Sequence, residues 1–231
     1  MLLSKSLGPW DIQLSALPET LDAGYRIPIR MWAAAIGASP ITLPFQMLLG
    51  GNNSDSVLAS NIKQAYVRRL GRKPQHANAA TIKLAFPNEW RSYTKFCVVR
   101  NPFSLAVSDY NWRTRNLKRP LAFVDYLKAL AAGDAVDGVV PVGFHNNWWQ
   151  YTIDDRVVVD HVIRFETLAH DLGNILATIG LPFSGSLPHL KNSKLRKQDA
   201  RCWRDYYTPA AVELVADLYR EEISTFGYTL E

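Results

Sequence analysis

Lys95-Phe-Cys-Val-Val-Arg-Asn-Pro-Phe-Ser-Leu-Ala-Val-Ser-Asp-Tyr110 is the stretch on which the fold turns. Phe96 to Val99 is an apolar run too short for a helix and β-branched at its end, which predicts a buried strand. Asn101 suits a helix N-cap, and Pro102 suits the first helical position, where a missing N–H costs nothing. Phe103, Ala106, Val107 and Tyr110 then recur at i, i+3, i+4 and i+7, one apolar helical face. Ser104, Ser108, Asn111 and Arg115 fall on the opposite side. The strand therefore delivers Arg100 to the mouth of a helix, with Ser108 two turns further on. In open α/β sheets ligands bind in that crevice, and the helix's positive end attracts anions. An arginine paired with a carboxylate and a serine facing water would fit the same spacing.

Working outward, Asn61 to Leu70, Ala77 to Phe86 and Leu121 to Ala132 are expected helices, and Gly133 to Asn147 a loop. Val157 to Ile163 is an expected strand. Leu168 to Ile179 is an expected helix whose Leu168, Leu172, Ile175, Leu176 and Ile179 make one face before Gly180 stops it. Thr208-Pro209 opens a last helix carrying Val212, Val215, Leu218 and Tyr219. Strands separated by helices imply α/β architecture with a parallel sheet flanked by helices. A chain of 231 residues, 48% of them apolar, is long enough to build one such domain around a sizeable core.

The chain carries 26 Lys and Arg against 21 Asp and Glu, a net charge of +5. The excess is uneven: Lys63 to Arg119 holds thirteen basic residues against only Glu89 and Asp109, so this half should attract an anion-rich ligand. A second basic cluster comprises Lys191, Lys194, Arg196, Lys197, Arg201 and Arg204. Two cysteines, Cys97 and Cys202, indicate no disulfide framework. With no signal-peptide core of the usual length at the N-terminus, a cytoplasmic location is expected. Met31 to Leu49 is uncharged, but Gly37, Pro40 and Pro44 with Ser39, Thr42 and Gln46 dilute it, so no membrane span is expected. His145, His161, His170 and His189 show no metal-ligand spacing, and no metal is expected.

Val99-Arg-Asn-Pro-Phe followed by Val107-Ser-Asp-Tyr110 resembles the 3′-phosphate-binding motif of sulfotransferases that use 3′-phosphoadenosine 5′-phosphosulfate (PAPS), especially the carbohydrate-type branch. His76-Ala-Asn-Ala-Ala-Thr-Ile-Lys, Phe86-Pro-Asn-Glu-Trp90 and Tyr93-Thr-Lys-Phe96 resemble the lead-in to that motif. Asp160-His-Val-Ile-Arg-Phe-Glu-Thr-Leu168, Ile179-Gly-Leu-Pro182, Leu187-Pro-His-Leu-Lys-Asn-Ser193, Arg204-Asp-Tyr-Tyr207 and Phe226-Gly-Tyr228 follow in the family's order. The resemblance covers residues 61–231 as one sulfotransferase-like domain with a P-loop-type sheet. Residues 1–60 are then a diverged or incomplete N-terminal part of it.

By this resemblance, Arg100 and Ser108 hold the 3′-phosphate of PAPS and of its product PAP, while Lys194 and Arg196 contact the nucleotide from a closing loop. A solvated charged loop is the alternative for those last two. His76 faces the acceptor as general base, or else caps the helix after it. The pattern commonly has a second arginine where this chain has Ser104. Its Pro-Lys-Thr-Gly-Gly-Thr-type loop, which holds the 5′-phosphosulfate, is missing or diverged, with Lys5 in Ser4 to Gly8 as the faint echo. No Walker A motif occurs.

The implied acceptor is a hydroxyl, most simply of a carbohydrate or glycolipid. The aromatic and amide run His145-Asn-Asn-Trp-Trp-Gln150 could stack on a sugar, though Trp148 and Trp149 are better expected as core anchors. Two other classes stay open: a catalytically impaired relative that binds PAP or PAPS, and a basic protein that binds nucleic acid. The second is disfavoured because no RRM, KH or zinc pattern occurs.

Overall fold

The structure, a computed structural model, describes residues 54–71, 77–135, 146–185 and 201–231. In chain order the helices α1 (Ser54–Leu70), α2 (Ala79–Ala85) and α3 (Pro87–Ser92) precede strand β1 (Phe96–Val99). Helices α4 (Pro102–Thr114), α5 (Phe123–Ala132) and the single turn α6 (Trp148–Tyr151) follow. Then come β2 (Thr152–Ile153), β3 (Arg156–Val157), β4 (His161–Arg164), a 3-10 turn at Phe165–Thr167 and α7 (Leu168–Thr178). A second 3-10 turn, Trp203–Tyr206, leads into α8 (Pro209–Leu218) and α9 (Arg220–Phe226). The chain is mixed α/β with a small parallel sheet, and it divides into two compact units.

One unit takes in Met1–Thr94, Thr152–Val158 and Leu176–Pro188. Ile62, Tyr66 and Leu70 line one buried stripe of α1, as i, i+4 and i+8 spacing requires, and Phe86 and Ala79 are buried with them. The Arg69 guanidinium lies 4.2 Å over the Phe86 ring and donates twice, at 3.1 and 2.8 Å, to the carbonyl of Ala85 that ends α2. At the other end of α2, Asn78 Oδ1 accepts from the Thr81 N–H at 2.9 Å. Asn78 is thus the cap, and the helix starts at Ala79 rather than at Ala77. In the same unit β2 and β3 form an antiparallel hairpin, turned by Asp154 and Asp155 with φ of 51° and 56°. Positive φ at both central residues is the demand of the tight turn that matches strand twist.

The other unit takes in Lys95–Tyr151, Val159–Ile175 and His189–Glu231. Its core joins Phe103, Ala106 and Val107 of α4, Phe123, Tyr126, Leu127 and Leu130 of α5, and Ala211 and Val215 of α8, with Tyr219. Edge-on ring pairs tie Phe103 to Tyr207 and Phe123 to Tyr110 at 5.4 and 5.3 Å. Strand β1 pairs in parallel with β4, Val98 opposite Ile163 and Val99 opposite Arg164. Lys95 clamps the start of this ladder: its N–H and Nζ reach Asp160 Oδ2 at 2.7 and 2.8 Å, and its carbonyl accepts from the Asp160 and His161 amides.

Three expectations are corrected here. The strand expected over Val157 to Ile163 is split, because the chain first completes the β2–β3 hairpin and re-enters a strand only at His161. Burial of β1 is complete only at Val99, and Val98 is 40% exposed, since β1 has a single partner strand among the described residues. The last helix is two helices: Tyr219, at φ −123° and ψ 28°, ends α8 and starts α9. Among the described residues no helix is long and apolar enough to cross a membrane. The segment Met31 to Leu49 lies outside them.

Candidate anion site at the end of strand β1

Arg100 leaves β1 at its carboxyl end, one residue ahead of the α4 N-cap. Asn101 Oδ1 accepts from the Phe103 N–H at 2.9 Å, and Asn101 Nδ2 donates to the Thr229 carbonyl at 2.8 Å. The cap therefore also fastens the C-terminal segment to the helix start. With the backbone fixed this way, the half-buried Arg100 side chain turns along α4. Its Nε donates to Ser104 Oγ at 2.9 Å, and its guanidinium lies 4.7 Å over the Phe165 ring. Ser104 Oγ in turn donates to the Asn101 carbonyl at 3.2 Å. Burial weakens the guanidinium's hold on its proton, and the nearby Glu166 carboxylate opposes that effect. An arginine remains charged in either case.

Phe165 and Glu166 come from the turn after β4, and each residue of Arg164-Phe-Glu-Thr167 has a separate task. Arg164 lies 4.8 Å over the Tyr228 ring and donates to the Phe226 carbonyl. Phe165, 48% exposed, is the platform under Arg100. Glu166 Oε1 accepts from the Asn101 N–H at 2.8 Å, and its Oε2 accepts from the Tyr228 hydroxyl at 3.3 Å. The Thr167 hydroxyl donates to Asp171 Oδ2 at 2.6 Å in the first turn of α7, and this bond holds the Asp171 carboxyl below the usual carboxylate range.

Of the sequence-predicted site residues, Arg100 and Ser108 lie on the same stretch, and Ser108 is exposed one helical turn beyond Ser104. His76, Lys194 and Arg196 lie outside the described residues, as does Lys5. Ser104, in the first turn of α4, holds the guanidinium. Its i+4 spacing from Arg100 is the signal that could have found it. The pairing of Glu166 with Asn101 spans 65 residues, and no local pattern announces it.

A second polar cluster joins α9 to the α6 turn. The Glu222 side chain is buried, at 6% exposure; its Oε1 accepts from the Tyr151 hydroxyl at 2.8 Å and the Asn147 N–H at 3.3 Å. Its Oε2 is buried with no hydrogen bond. Burial raises the Glu222 carboxyl above its ordinary range, with the two Oε1 bonds pulling the other way. The half-buried Trp148 packs edge-on against Tyr151 and Phe226 at 5.8 and 6.3 Å. Trp148 thus packs on neighbouring rings without entering the fully buried core. Burial, with Glu222 nearby, pushes the Cys97 thiol up to about 12, which disfavours the thiolate form. Among the described residues no three His, Cys, Asp or Glu side chains are grouped to hold a metal ion.

The chain matches no protein-family model, no curated protein and no solved structure. The arginine site consequently stands on its own geometry: a fixed, partly desolvated cation at a strand end, beside a helix start, with two hydroxyls along the helix. Such an arrangement can bind a phosphate or sulfate group through charge-assisted hydrogen bonds.

Proposed function

We propose that the chain is a PAPS-dependent sulfotransferase, single-domain and P-loop-like in fold, that moves a sulfuryl group to a hydroxyl, most simply that of a carbohydrate or glycolipid. The observation that carries this reading is Arg100 at the end of β1, held by Ser104 and Phe165 with Ser108 exposed further along the same helix. In this reading Arg100 and Ser108 grip the 3′-phosphate, and Lys194 and Arg196 contact the donor nucleotide. His76 takes the proton from the acceptor hydroxyl as its oxygen attacks sulfur and the bond from sulfur to the bisphosphate breaks, with PAP leaving. No metal is required. The sequence order of the motif, its lead-in and the Arg164-Phe-Glu turn support the reading. The weak Lys5 loop favours the alternative of a relative that binds PAP without transferring sulfate.

Transfer of labelled sulfate from PAPS to a pool of neutral carbohydrates tests it. Wild type should transfer, and His76→Ala should fall by about a hundredfold, as expected of a general base. Lys5→Ala should also slow transfer if Ser4 to Gly8 serves as the donor loop. PAP binding without transfer to any acceptor would leave the binding-protein reading.

A further inference from the structure

The turn after β4 sets a carboxylate against the backbone amide of Asn101, the residue next to Arg100. Glu166 Oε1 takes the Asn101 N–H, and its Oε2 takes the Tyr228 hydroxyl. The adjoining Phe165 carries the Arg100 guanidinium on its ring, so the cation and this carboxylate belong to one short turn and one helix start. Glu166 is also the acidic group whose charge favours the protonated form of Arg100.

Resting on the reading of Arg100 as the 3′-phosphate anchor, we propose that Glu166 is a positioning residue that acts as the resident counter-charge of Arg100. It holds the strand-to-helix junction in place and lowers the site's affinity for phosphate, so that the bisphosphate product is released rather than retained. A phosphate held by Arg100 shares that cation with Glu166, and it is Arg100 that brings the phosphate within range of the carboxylate's repulsion. Repulsion is stronger for a dianion than for a monoanion, so the carboxylate disfavours a 3′-phosphate dianion most.

The test is calorimetric titration of the whole chain with PAP and with inorganic phosphate, at low and high ionic strength. Glu166→Gln keeps an acceptor for the Asn101 amide and a polar partner for Tyr228 while removing the charge. It should tighten binding of both ligands by about three- to tenfold, the scale of one unit charge about 4 Å away in a water-like dielectric. The gain should shrink in high salt and vanish in the Arg100→Ala background, a dependence that a merely structural role would not produce. Tyr228→Phe, which removes one hydrogen bond from the carboxylate and leaves it more negative toward the site, should weaken binding. It provides the answer if Glu166→Gln does not fold.

Unchanged or weaker binding in a folded Glu166→Gln, or unchanged or tighter binding in Tyr228→Phe, overturns the proposal. If wild type binds PAP but Glu166→Gln gives no gain, the counter-charge role fails and the donor-site reading survives. If PAP is not bound, yet phosphate binding tightens in Glu166→Gln only when Arg100 is present, the donor-site reading fails and the counter-charge role survives.

Discussion

Replacing Glu222 with Gln should stabilise the protein at alkaline pH and remove the loss of stability that ionising this buried carboxyl causes. The wild-type carboxyl is 6% exposed, with two donors on Oε1 and none on a buried Oε2. The groups facing it are Tyr151, Tyr219, Tyr228 and Cys97, all neutral, with Glu221 adding repulsion. Its folded-state affinity for a proton therefore exceeds that of the unfolded chain. With more protons bound in the folded state, the derivative of unfolding free energy with pH is negative. Stability is highest where Glu222 is protonated in both states, and it is lost as pH rises through the interval between the unfolded and folded titrations. Glutamine mimics the protonated group: its oxygen keeps the Tyr151 and Asn147 bonds, and an unbonded amide costs less than an unbonded charge.

An unsatisfied buried polar group costs about 1–3 kcal/mol, more when charged. The variant should thus be about 1–3 kcal/mol more stable than wild type near pH 8, and the two should converge near pH 4. Urea denaturation followed by tryptophan fluorescence, with Trp148 packed beside Tyr151, reports the difference. A Gln variant less stable than wild type at pH 8, or a difference that does not vary with pH, would show that Glu222 is not the buried group that titrates.

Other expectations concern the frame of the site. Asn101→Ala removes the α4 cap and the bond to Thr229, and should cost about 1–2 kcal/mol, seen as a lower urea midpoint. Leu127→Ala empties a fully buried position between α5 and its neighbours, and should cost about 2–5 kcal/mol by the same assay. With a disulfide reagent at pH 8, the exposed Cys202 should react at once while Cys97, whose thiol is pushed up to about 12, reacts only on unfolding.

What could be read from the sequence was local. β1 and α4 follow from an apolar run, a cap and a proline within eight residues, and they form as expected over Phe96–Val99 and Pro102–Thr114. The stop of α7 at Gly180 was equally plain, since φ of 73° there is a glycine conformation. The β2–β3 hairpin escaped notice because its strands are two residues each, too short for any period. The break at Tyr219 was hidden because its apolar spacing continues that of α8. Bonds that complete the two polar clusters join residues 65 and 71 positions apart, and tertiary packing alone brings them together. The bond from Arg100 to Ser104 is a local one, four residues apart, but a serine at that spacing is equally compatible with facing water.

Whether Arg100 anchors a 3′-phosphate is read out by calorimetric titration of wild type and Arg100→Ala with PAP and adenosine 5′-phosphate. A charge-assisted hydrogen bond is worth roughly 1.5–3 kcal/mol. Wild type should therefore prefer PAP, and Arg100→Ala should lose at least about tenfold in PAP affinity while adenosine 5′-phosphate affinity barely moves. Equal losses for the two ligands, or no PAP binding by wild type, would contradict the account.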